Sequence, residues 1–339
     1  ASATHDYSVD TTAPVITIST LAADDILNAT EAQADLVITG TTTAPAGQTV
    51  TVTINGNDYT ALVQANGSWS VTVPAAEAGA LTTGSVTATV SDAAGNTGSA
   101  SHALTVDTTS PGVTISTVAA DDIINRAEHG QTQIVSGSAS GAAAGDAVTV
   151  TVNGKTYTTV VDAAGNWSVG VPAADISALN DGTTTIAVTV TNAAGNSGSA
   201  THDVTVDTAA PSVTLNSVTA DDVINAAEQG ADLVLSGTTT NVEAGQLVTV
   251  TLNGQTYTAQ VQANGEWTLT VPSADLSGLT DGSARVEVSV SNAAGNSASA
   301  THDYSVDTTA PVITISTLAA DDILNATEAQ ADLVITGTT

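Results

Sequence analysis

A repeat of about 100 residues constrains this chain more than any other feature of its sequence. The segment Val-Asp-Thr-x-x-Pro places Asp10, Asp107, Asp207 and Asp307 at intervals of 97, 100 and 100 residues. Each complete copy then carries the same landmarks in the same order: an Asp-Asp pair, an Asn-Gly pair, a tryptophan and an Ala-Ala-Gly-Asn segment. A period near 100 is too long for one turn of a solenoid and matches a small autonomous domain. The sequence therefore predicts a row of separate domains.

The two ends of the chain carry the same sequence. Residues 298–339 repeat residues 1–42 letter for letter. We therefore interpret residues 1–9 as the tail strand of a preceding repeat, and residues 307–339 as an incomplete fourth repeat that is identical to the start of repeat 1. A fragment of that length is too short to bury a core by itself. The predicted complete repeats 1, 2 and 3 are residues 10–106, 107–206 and 207–306.

Apolar residues alternate with threonine and serine inside each repeat. Val50, Val52 and Ile54, for example, alternate with threonines. A period of two is typical of half-buried strands, and Asn-Gly pairs between such runs tolerate the positive φ of tight hairpins. In repeat 1, strands are predicted near residues 14–19, 35–41, 48–54, 58–64, 68–73, 84–91 and 97–106. The predicted fold class is all-β: tandem seven-stranded immunoglobulin-like β-sandwiches joined end to end, with no disulfide because the chain has no cysteine.

The charge of the chain is strongly acidic. Asp and Glu number 34 against three basic residues, so the formal net charge is −31. That balance argues against nucleic acid and against anionic membranes as partners. A hydrophobic content of 42% favours folded domains over disorder, and no apolar run approaches the length of a membrane span. The charge either serves solubility or is partly neutralised by bound cations.

The placement of the acidic residues favours bound cations. In a seven-stranded sandwich the chain enters and leaves at opposite poles, so the A–B loop is expected beside the linker to the next repeat. In repeat 1 this loop reads Asp24-Asp25-Ile26-Leu27-Asn28-Ala29-Thr30-Glu31, and the linker adds Asp107. The F–G loop of the next repeat is expected to approach from the far side with Asn192 and Asn196.

Calcium is the cation that these ligands predict. Carboxylates about 4 Å apart repel by about 1 kcal/mol per pair even in water, so a cluster of four favours an ion among them. Oxygen-only ligands on flexible loops suit Ca²⁺ better than Mg²⁺ or Zn²⁺. The candidate calcium ligands are Asp24, Asp25, Asn28, Glu31, Asp107, Asp121, Asp122, Asn125, Glu128, Asp203, Asp207, Asp221, Asp222, Asn225, Glu228, Asp303, Asp307, Asp321 and Asp322.

Several of these residues also have an ordinary structural interpretation. A lone Asp before a strand is usually a turn former, and Asp-Asp followed by Glu can begin a short helical turn. Asp92 of the F–G loop becomes Asn192 and Asn292 in the later copies, which makes this loop a weaker ligand candidate. The histidine in each linker strand is expected at a surface or packed position, and each tryptophan in the core. No nucleophile motif, phosphate loop or paired-carboxylate cleft occurs, so no enzymatic activity is expected.

The ordered motifs resemble a known family. Val106-Asp107-Thr108-Thr109-Ser110-Pro111, the Asp-Asp-x-x-Asn-x-x-Glu loop and the Ala-Ala-Gly-Asn loop resemble the bacterial immunoglobulin-like repeats of giant repeats-in-toxin (RTX), type I-secreted adhesins. The resemblance covers essentially the whole chain. It implies a calcium-rigidified extender, or stalk, on the outside of a bacterial cell, with calcium at the junctions between repeats. Such a stalk projects a distal ligand-binding region for adhesion and biofilm formation.

The sequence is compatible with two functions. In the extender interpretation the partners are neighbouring repeats of the same chain, with no nucleic acid, no membrane contact by this segment and no small-molecule substrate. Each sandwich would then add roughly 40 Å, from strands of about eight residues at 3.3 Å each plus loops. The alternative is an immunoglobulin-like module that binds glycans or surface proteins through its loops. Those loops are small and lack the aromatic and arginine anchors of binding hot spots.

Overall fold

Strands dominate the structure, a computed structural model that describes residues 2–339. The seven strands predicted for repeat 1 are all present, and an eighth, the two-residue strand β2, was not predicted. The elements of repeat 1 are β1 (Ile16–Ile18), β2 (Ile26–Leu27), β3 (Leu36–Thr42), β4 (Thr49–Ile54), β5 (Asn57–Leu62), β6 (Ser68–Val73), the one-turn helix α1 (Ala75–Ala78), β7 (Gly84–Ser91) and β8 (Thr97–Val106).

Repeats 2 and 3 have the same eight strands in the same order, and repeat 3 has one additional short helix, α3. Those of repeat 2 are β9 (Gly112–Ile115), β10 (Ile123–Asn125), β11 (Gln133–Ser140), β12 (Ala147–Val152), β13 (Lys155–Val160), β14 (Asn166–Val171), α2 (Ala173–Ile176), β15 (Gly182–Thr191) and β16 (Ser197–Asp207). Those of repeat 3 are β17 (Ser212–Val213), β18 (Val223–Asn225), α3 (Ala226–Gln229), β19 (Leu233–Thr240), β20 (Leu247–Leu252), β21 (Gln255–Gln260), β22 (Glu266–Val271), α4 (Ser273–Leu276), β23 (Gly282–Ser291) and β24 (Ser297–Asp307).

Each repeat folds into a three-stranded and a five-stranded sheet. The three-stranded sheets have the orders β1-β3-β6, β14-β11-β9 and β17-β19-β22. The five-stranded sheets have the orders β2-β8-β7-β4-β5, β10-β16-β15-β12-β13 and β18-β24-β23-β20-β21. The two sheets in each repeat confirm the predicted all-β sandwich class.

The short strand β2 positions the acidic loop. It pairs in parallel with the last strand of its own repeat, with Ile26 opposite Thr105 and Leu27 opposite Val106. In repeat 3, Asn225 of β18 lies opposite Asp307 of β24 in the same parallel register. Because β8 runs directly into the linker, this pairing holds the A–B loop beside the linker aspartate.

The core follows the alternation read from the sequence. In β3 every second residue is buried, so Leu36 and Ile38 face the core while Val37 faces solvent. The three tryptophans Trp69, Trp167 and Trp267 are 1%, 2% and 0% exposed, which confirms the core position expected for them. Burial of a large aromatic side chain contributes a major share of the stability of so small a domain.

A glycine beneath each tryptophan allows the three-stranded sheet to close. A Cβ atom on Gly237 would lie 1.9 Å from the Thr214 carbonyl oxygen and 2.8 Å from Trp267 Nε1. The Trp267 indole N–H donates to that same Thr214 oxygen at 3.2 Å. Gly40 and Gly137 occupy the same position beneath Trp69 and Trp167. The indole therefore packs directly on backbone.

The chain forms two compact units. One comprises Ala1–Ile123 with Gly130–Thr205, and the other comprises Ile124–His129 with Val206–Thr339. Their boundary does not follow the repeat boundaries drawn from the sequence, which stay a prediction. Beyond Asp307, the described residues form two-residue strands, β25 (Thr314–Ile315) and β26 (Gly337–Thr338), and two 3-10 turns, Leu318–Ala320 and Glu328–Gln330. Within residues 2–339 no helix has the length and apolarity needed to cross a membrane.

Candidate functional site: the A–B loop and the linker of each repeat

The second aspartate of each Asp-Asp pair is bound to its own repeat. Asp25 adopts a positive φ of 67°, and its Oδ1 accepts hydrogen bonds from Leu21 N at 2.7 Å and from His102 Nε2 at 2.7 Å. Asp122 makes the same contacts with Val118 N and His202, and Asp222 with Val218 N and His302, all at 2.7–2.8 Å. The pair ties the A–B loop to the last strand.

These contacts lower the pKa of each aspartate. For Asp25 and Asp122 the main cause is the backbone N–H of Leu21 or Val118, with the histidine adding to it. For Asp222 the hydrogen bond from His302 is the main cause of the lowered pKa, followed by Val218 N. Sequence analysis missed these pairs. The only available signal was a histidine recurring 77 to 80 residues after the aspartate in each repeat.

A pH dependence follows for the Asp222–His302 pair. Because the pKa of Asp222 is lowered in the folded state, the pair stabilises repeat 3 above the ordinary aspartate pKa of about 4, and that contribution is lost as the pH falls through the lowered value. We expect Asp222→Asn to lower the melting temperature of repeat 3 at pH 6 in the presence of chelator, and the difference from the parent chain to shrink at pH 3. A difference of equal size at both pH values would contradict this assignment.

The first aspartate and the Asn-x-x-Glu segment form the rest of the loop. Asp24 Oδ1 accepts from Ile26 N at 3.0 Å, closing a short turn. Asn28 Oδ1 accepts from Thr30 N and Glu31 N at 2.9 and 3.0 Å, and Glu31 Oε2 accepts from Asn28 N at 3.0 Å. This reciprocal arrangement is a capping box. The helical turn named as the ordinary interpretation of the motif is therefore present, and Glu31 uses one carboxylate oxygen for it, while Asp24 uses one for its own turn with Ile26.

The later repeats preserve this geometry. Asp121 and Asp221 accept from the backbone N–H two residues ahead at 3.0 and 3.1 Å. Asn125 with Glu128, and Asn225 with Glu228, repeat the capping box, which in repeat 3 begins the helix α3. In the fourth copy, Asp321 and Asp322 accept from Ile323 N and Leu318 N.

The linker aspartates lie at the end of the last strand. Asp107 N donates to Leu27 O at 3.1 Å, so the linker residue is adjacent in space to the start of the capping box. Asp107 Oδ1 accepts from Thr109 N at 3.0 Å, while Oδ2 accepts from Asn192 Nδ2 at 3.1 Å. Asp207 accepts from Ala209 N and Asn292 Nδ2 in the same way, and Asp307 accepts from Thr309 N.

Two candidates lie on the outer side of the last strand and are held there by other contacts. Asp203 Oδ1 accepts from Thr185 Oγ1 at 2.6 Å. Asp303 pairs with Arg285 through two hydrogen bonds of 2.6 and 3.2 Å, and that guanidinium lowers the pKa of the Asp303 carboxyl. Both carboxylates thus have partners on their own sheet.

The candidate ligands fit calcium in chemistry but are not assembled into a cage. Across residues 2–339, no three Asp, Glu or His side chains lie close enough together to hold a metal ion. Hydrogen bonds hold some of the carboxylates within the A–B loop, others in the linker and others on the last strand. The candidate ligand atoms are all oxygens of carboxylates or carboxamides, which is the type of ligand atom that Ca²⁺ prefers. A calcium site between loop and linker therefore stays a prediction.

Comparison with known proteins identifies the family. The sequence profile of the bacterial Ig-like domain matches residues 20–108, 110–208 and 214–308. A search of the curated proteins finds no match.

Several solved adhesin structures are similar in sequence. A "Ca2+-stabilized adhesin" that "helps an Antarctic bacterium reach out and bind ice" is 42% identical over 97% of this chain and 83% of that chain, with a TM-score of 0.46. A tetra-tandem repeat from the extending region of a large adhesion protein is 31% identical over 89% of this chain and 76% of that one, with a TM-score of 0.32. A bacterial immunoglobulin-like domain of the M. primoryensis ice-binding adhesin is 45% identical over 29% of this chain and 99% of its own length, with a TM-score of 0.25.

The TM-scores all lie below 0.5, so we base the family on the sequence match. The profile covers three stretches that together exceed half of the chain, and each stretch contains most of the strands in the two sheets of one repeat. Adhesin repeats of this family are structural domains and not enzymes. The chain belongs to the bacterial Ig-like domain family, as a tandem array of three such repeats.

Proposed function

We propose that this chain is a calcium-rigidified extender in a large adhesin of the bacterial cell surface. The observation that carries the proposal is the contact between the A–B loop and the linker. Asp107 N donates to Leu27 O at 3.1 Å, immediately before the capping box formed by Asn28 and Glu31. The linker aspartate therefore lies next to the acidic A–B loop, at the point where the chain passes from one repeat to the next.

Calcium would hold loop and linker together by neutralising their charge. The chain carries a formal charge of −31, and repulsion between loop and linker acids opposes a fixed junction. The residues proposed to hold the ion after repeat 1 are Asp24, Asp25, Asn28, Glu31 and Asp107. At the later junctions they are Asp121, Asp122, Asn125, Glu128, Asp203 and Asp207, then Asp221, Asp222, Asn225, Glu228, Asp303 and Asp307, with Asp321 and Asp322 in the fourth copy.

Sequence relatives support the same role. The chain is homologous to repeats of large adhesins, one of which is described as Ca²⁺-stabilized and another as part of an extending region. We accordingly propose an extracellular location, RTX-type export by type I secretion, and a contribution to adhesion and biofilm formation through projection of a distal binding region. Neighbouring repeats of the same chain are the proposed partners.

Removal of calcium tests the proposal on the whole chain. We expect chelator to make the chain more compact in small-angle scattering and to lower its melting temperature. An ion at 100 times its Kd stabilises the folded state by about 2.7 kcal/mol per site. Replacement of Asp24 and Asp107 by asparagine should remove the response of the first junction, while Asp58→Asn, in the β4–β5 hairpin away from the loop, should keep it. Scattering profiles that coincide with and without chelator would rule out calcium stiffening.

A further inference from the structure

A buried asparagine of each F–G loop contacts the repeat before it. Asn196, which follows β15, is 4% exposed. Its Oδ1 accepts a hydrogen bond from Ala29 N at 2.8 Å, and its Nδ2 donates to the Asp107 carbonyl oxygen at 2.8 Å. One carboxamide of repeat 2 thereby binds both the A–B loop of repeat 1 and the linker.

The same contacts occur one repeat later. Asn296 is 6% exposed, its Oδ1 accepts from Arg126 N at 2.8 Å, and its Nδ2 donates to the Asp207 carbonyl oxygen at 2.9 Å. Asn292 adds a hydrogen bond from Nδ2 to Asp207 Oδ2 at 3.3 Å. Recurrence at the same positions shows that the arrangement is a property of the repeat.

The F–G loop of repeat 1 provides an internal comparison, because residues 2–339 include no A–B loop packed against it. Asn96 Nδ2 still donates to the Asp10 carbonyl oxygen at 3.1 Å, but Asn96 is only half-buried. Ala94 is exposed there, whereas its counterparts Ala194 and Ala294 are both 6% exposed. The burial of the later loops therefore comes from the A–B loop of the preceding repeat.

The A–B loop presents an N–H group that needs such a partner. The capping asparagine Asn28 accepts from the N–H groups of Thr30 and Glu31, which leaves the N–H of Ala29 as the unpaired donor of the first turn. Asn196 Oδ1 accepts from that donor across the junction. A buried N–H without an acceptor is unfavourable, so the contact stabilises the junction.

Both hydrogen bonds of the asparagine go to main-chain atoms. The side chain at the contacted position can therefore vary, and it is Ala29 in repeat 1 and Arg126 in repeat 2. Neither bond involves a charged group or a metal ion. The contact depends on the backbone geometry of the capping box and of the linker, and not on the identity of particular side chains.

We propose that Asn196 and Asn296 form a metal-independent clamp that holds the F–G loops of repeats 2 and 3 on the A–B loop and linker of the repeat before, while the angle between the repeats is left to the proposed calcium. The partner that fits this F–G surface is an Ig-like repeat whose A–B loop contains an Asn-x-x-Glu capping box and whose last strand ends in Val-Asp-Thr. This inference goes beyond the proposed calcium role, because the clamp forms whether or not the ion is bound.

Hydrogen exchange of the Arg126 amide in the full 339-residue chain tests the clamp. With chelator present, we expect Asn296→Ala to accelerate this exchange at least about tenfold, since the lost acceptor leaves the amide unpaired. Asn96→Ala is the matched control, because it alters the same loop of repeat 1 and should leave Arg126 unchanged. Asn296→Asp keeps an acceptor for Arg126 N and should retain most of the protection.

The remaining outcomes separate the clamp from the calcium role. Protection of strand β20 is followed in the same sample, because its loss identifies a variant in which repeat 3 is unfolded. If Asn296→Ala is unfolded in this way, the exchange rate of the Arg126 amide in Asn296→Asp decides the test. Fast exchange of Arg126 in the parent chain with chelator, slowed only by added calcium, would overturn the clamp. So would unchanged exchange in a folded Asn296→Ala variant. A chain that shows no calcium response but keeps the tenfold effect refutes the calcium role and leaves the clamp standing.

Discussion

Replacement of Gly237 by alanine is expected to destabilise repeat 3 by about 3 kcal/mol, at the upper end of the usual cost of overpacking a core. The added methyl group would lie 1.9 Å from the Thr214 carbonyl oxygen and 2.8 Å from Trp267 Nε1. The first of these atoms belongs to the backbone just after β17 and has no rotamer through which to move. The three-stranded sheet of repeat 3 would have to open, and the Trp267 N–H would lose its acceptor.

Calorimetry and hydrogen exchange together measure this effect. For a domain of about 100 residues, a loss of 3 kcal/mol lowers the melting temperature by about 10–20 °C. The new transition should involve repeat 3, with loss of protection in β19 and β22 and little change in repeat 1. Gly278→Ala is the matched control, since Gly278 follows α4 on the surface and its added Cβ would find only Asn253 Nδ2, at 3.7 Å. Equal melting temperatures for the two variants would contradict the packing argument.

The fold was predictable because its signals are local. Alternation of valine with threonine places one face of each strand in the core, and no other period fits Val50, Val52 and Ile54. The hairpin between β4 and β5 is equally local, since Asn55 and Gly56 adopt φ values of 48° and 80° that few residues other than asparagine and glycine accept. Repetition of these signals at intervals near 100 residues then defines the array.

The site was less predictable because its contacts are not local. The position of the A–B loop depends on β2, a two-residue strand paired with residues almost 80 positions away. The Asp25–His102 pair depends on that pairing, and no local pattern distinguishes Asp25 from Asp24. The Asn-x-x-Glu segment forms a capping box, and its role in metal binding stays a prediction. Asn196 was expected only to approach the junction from the far side, and nothing in the local sequence indicated that its carboxamide binds two main-chain groups of the preceding repeat.

The duplicated segment should exchange its amide hydrogens at two very different rates. Residues 16–42 and 313–339 are identical in sequence, so their intrinsic exchange rates are matched. Leu27 and Ile38 are 0% exposed in repeat 1, whereas their counterparts Leu324 and Ile335 are 53% and 63% exposed. In the first copy, β3 pairs with β1 on one side and β6 on the other, within a complete sandwich, whereas the second copy has only the two-residue ladder of β25 and β26.

Peptides from the two copies have the same mass, which turns the duplication into an internal control. We expect the isotope envelope of this peptide to split into two equal populations, one exchanging at nearly the unfolded rate and one slower by at least about 10³-fold. That ratio corresponds to a domain stability near the lower end of the usual range of about 5–15 kcal/mol. A single slowly exchanging envelope would mean that this segment is as stable alone as it is within the sandwich, which would contradict the argument from burial. Two populations would show that the protection of these residues comes from the other strands of the sandwich.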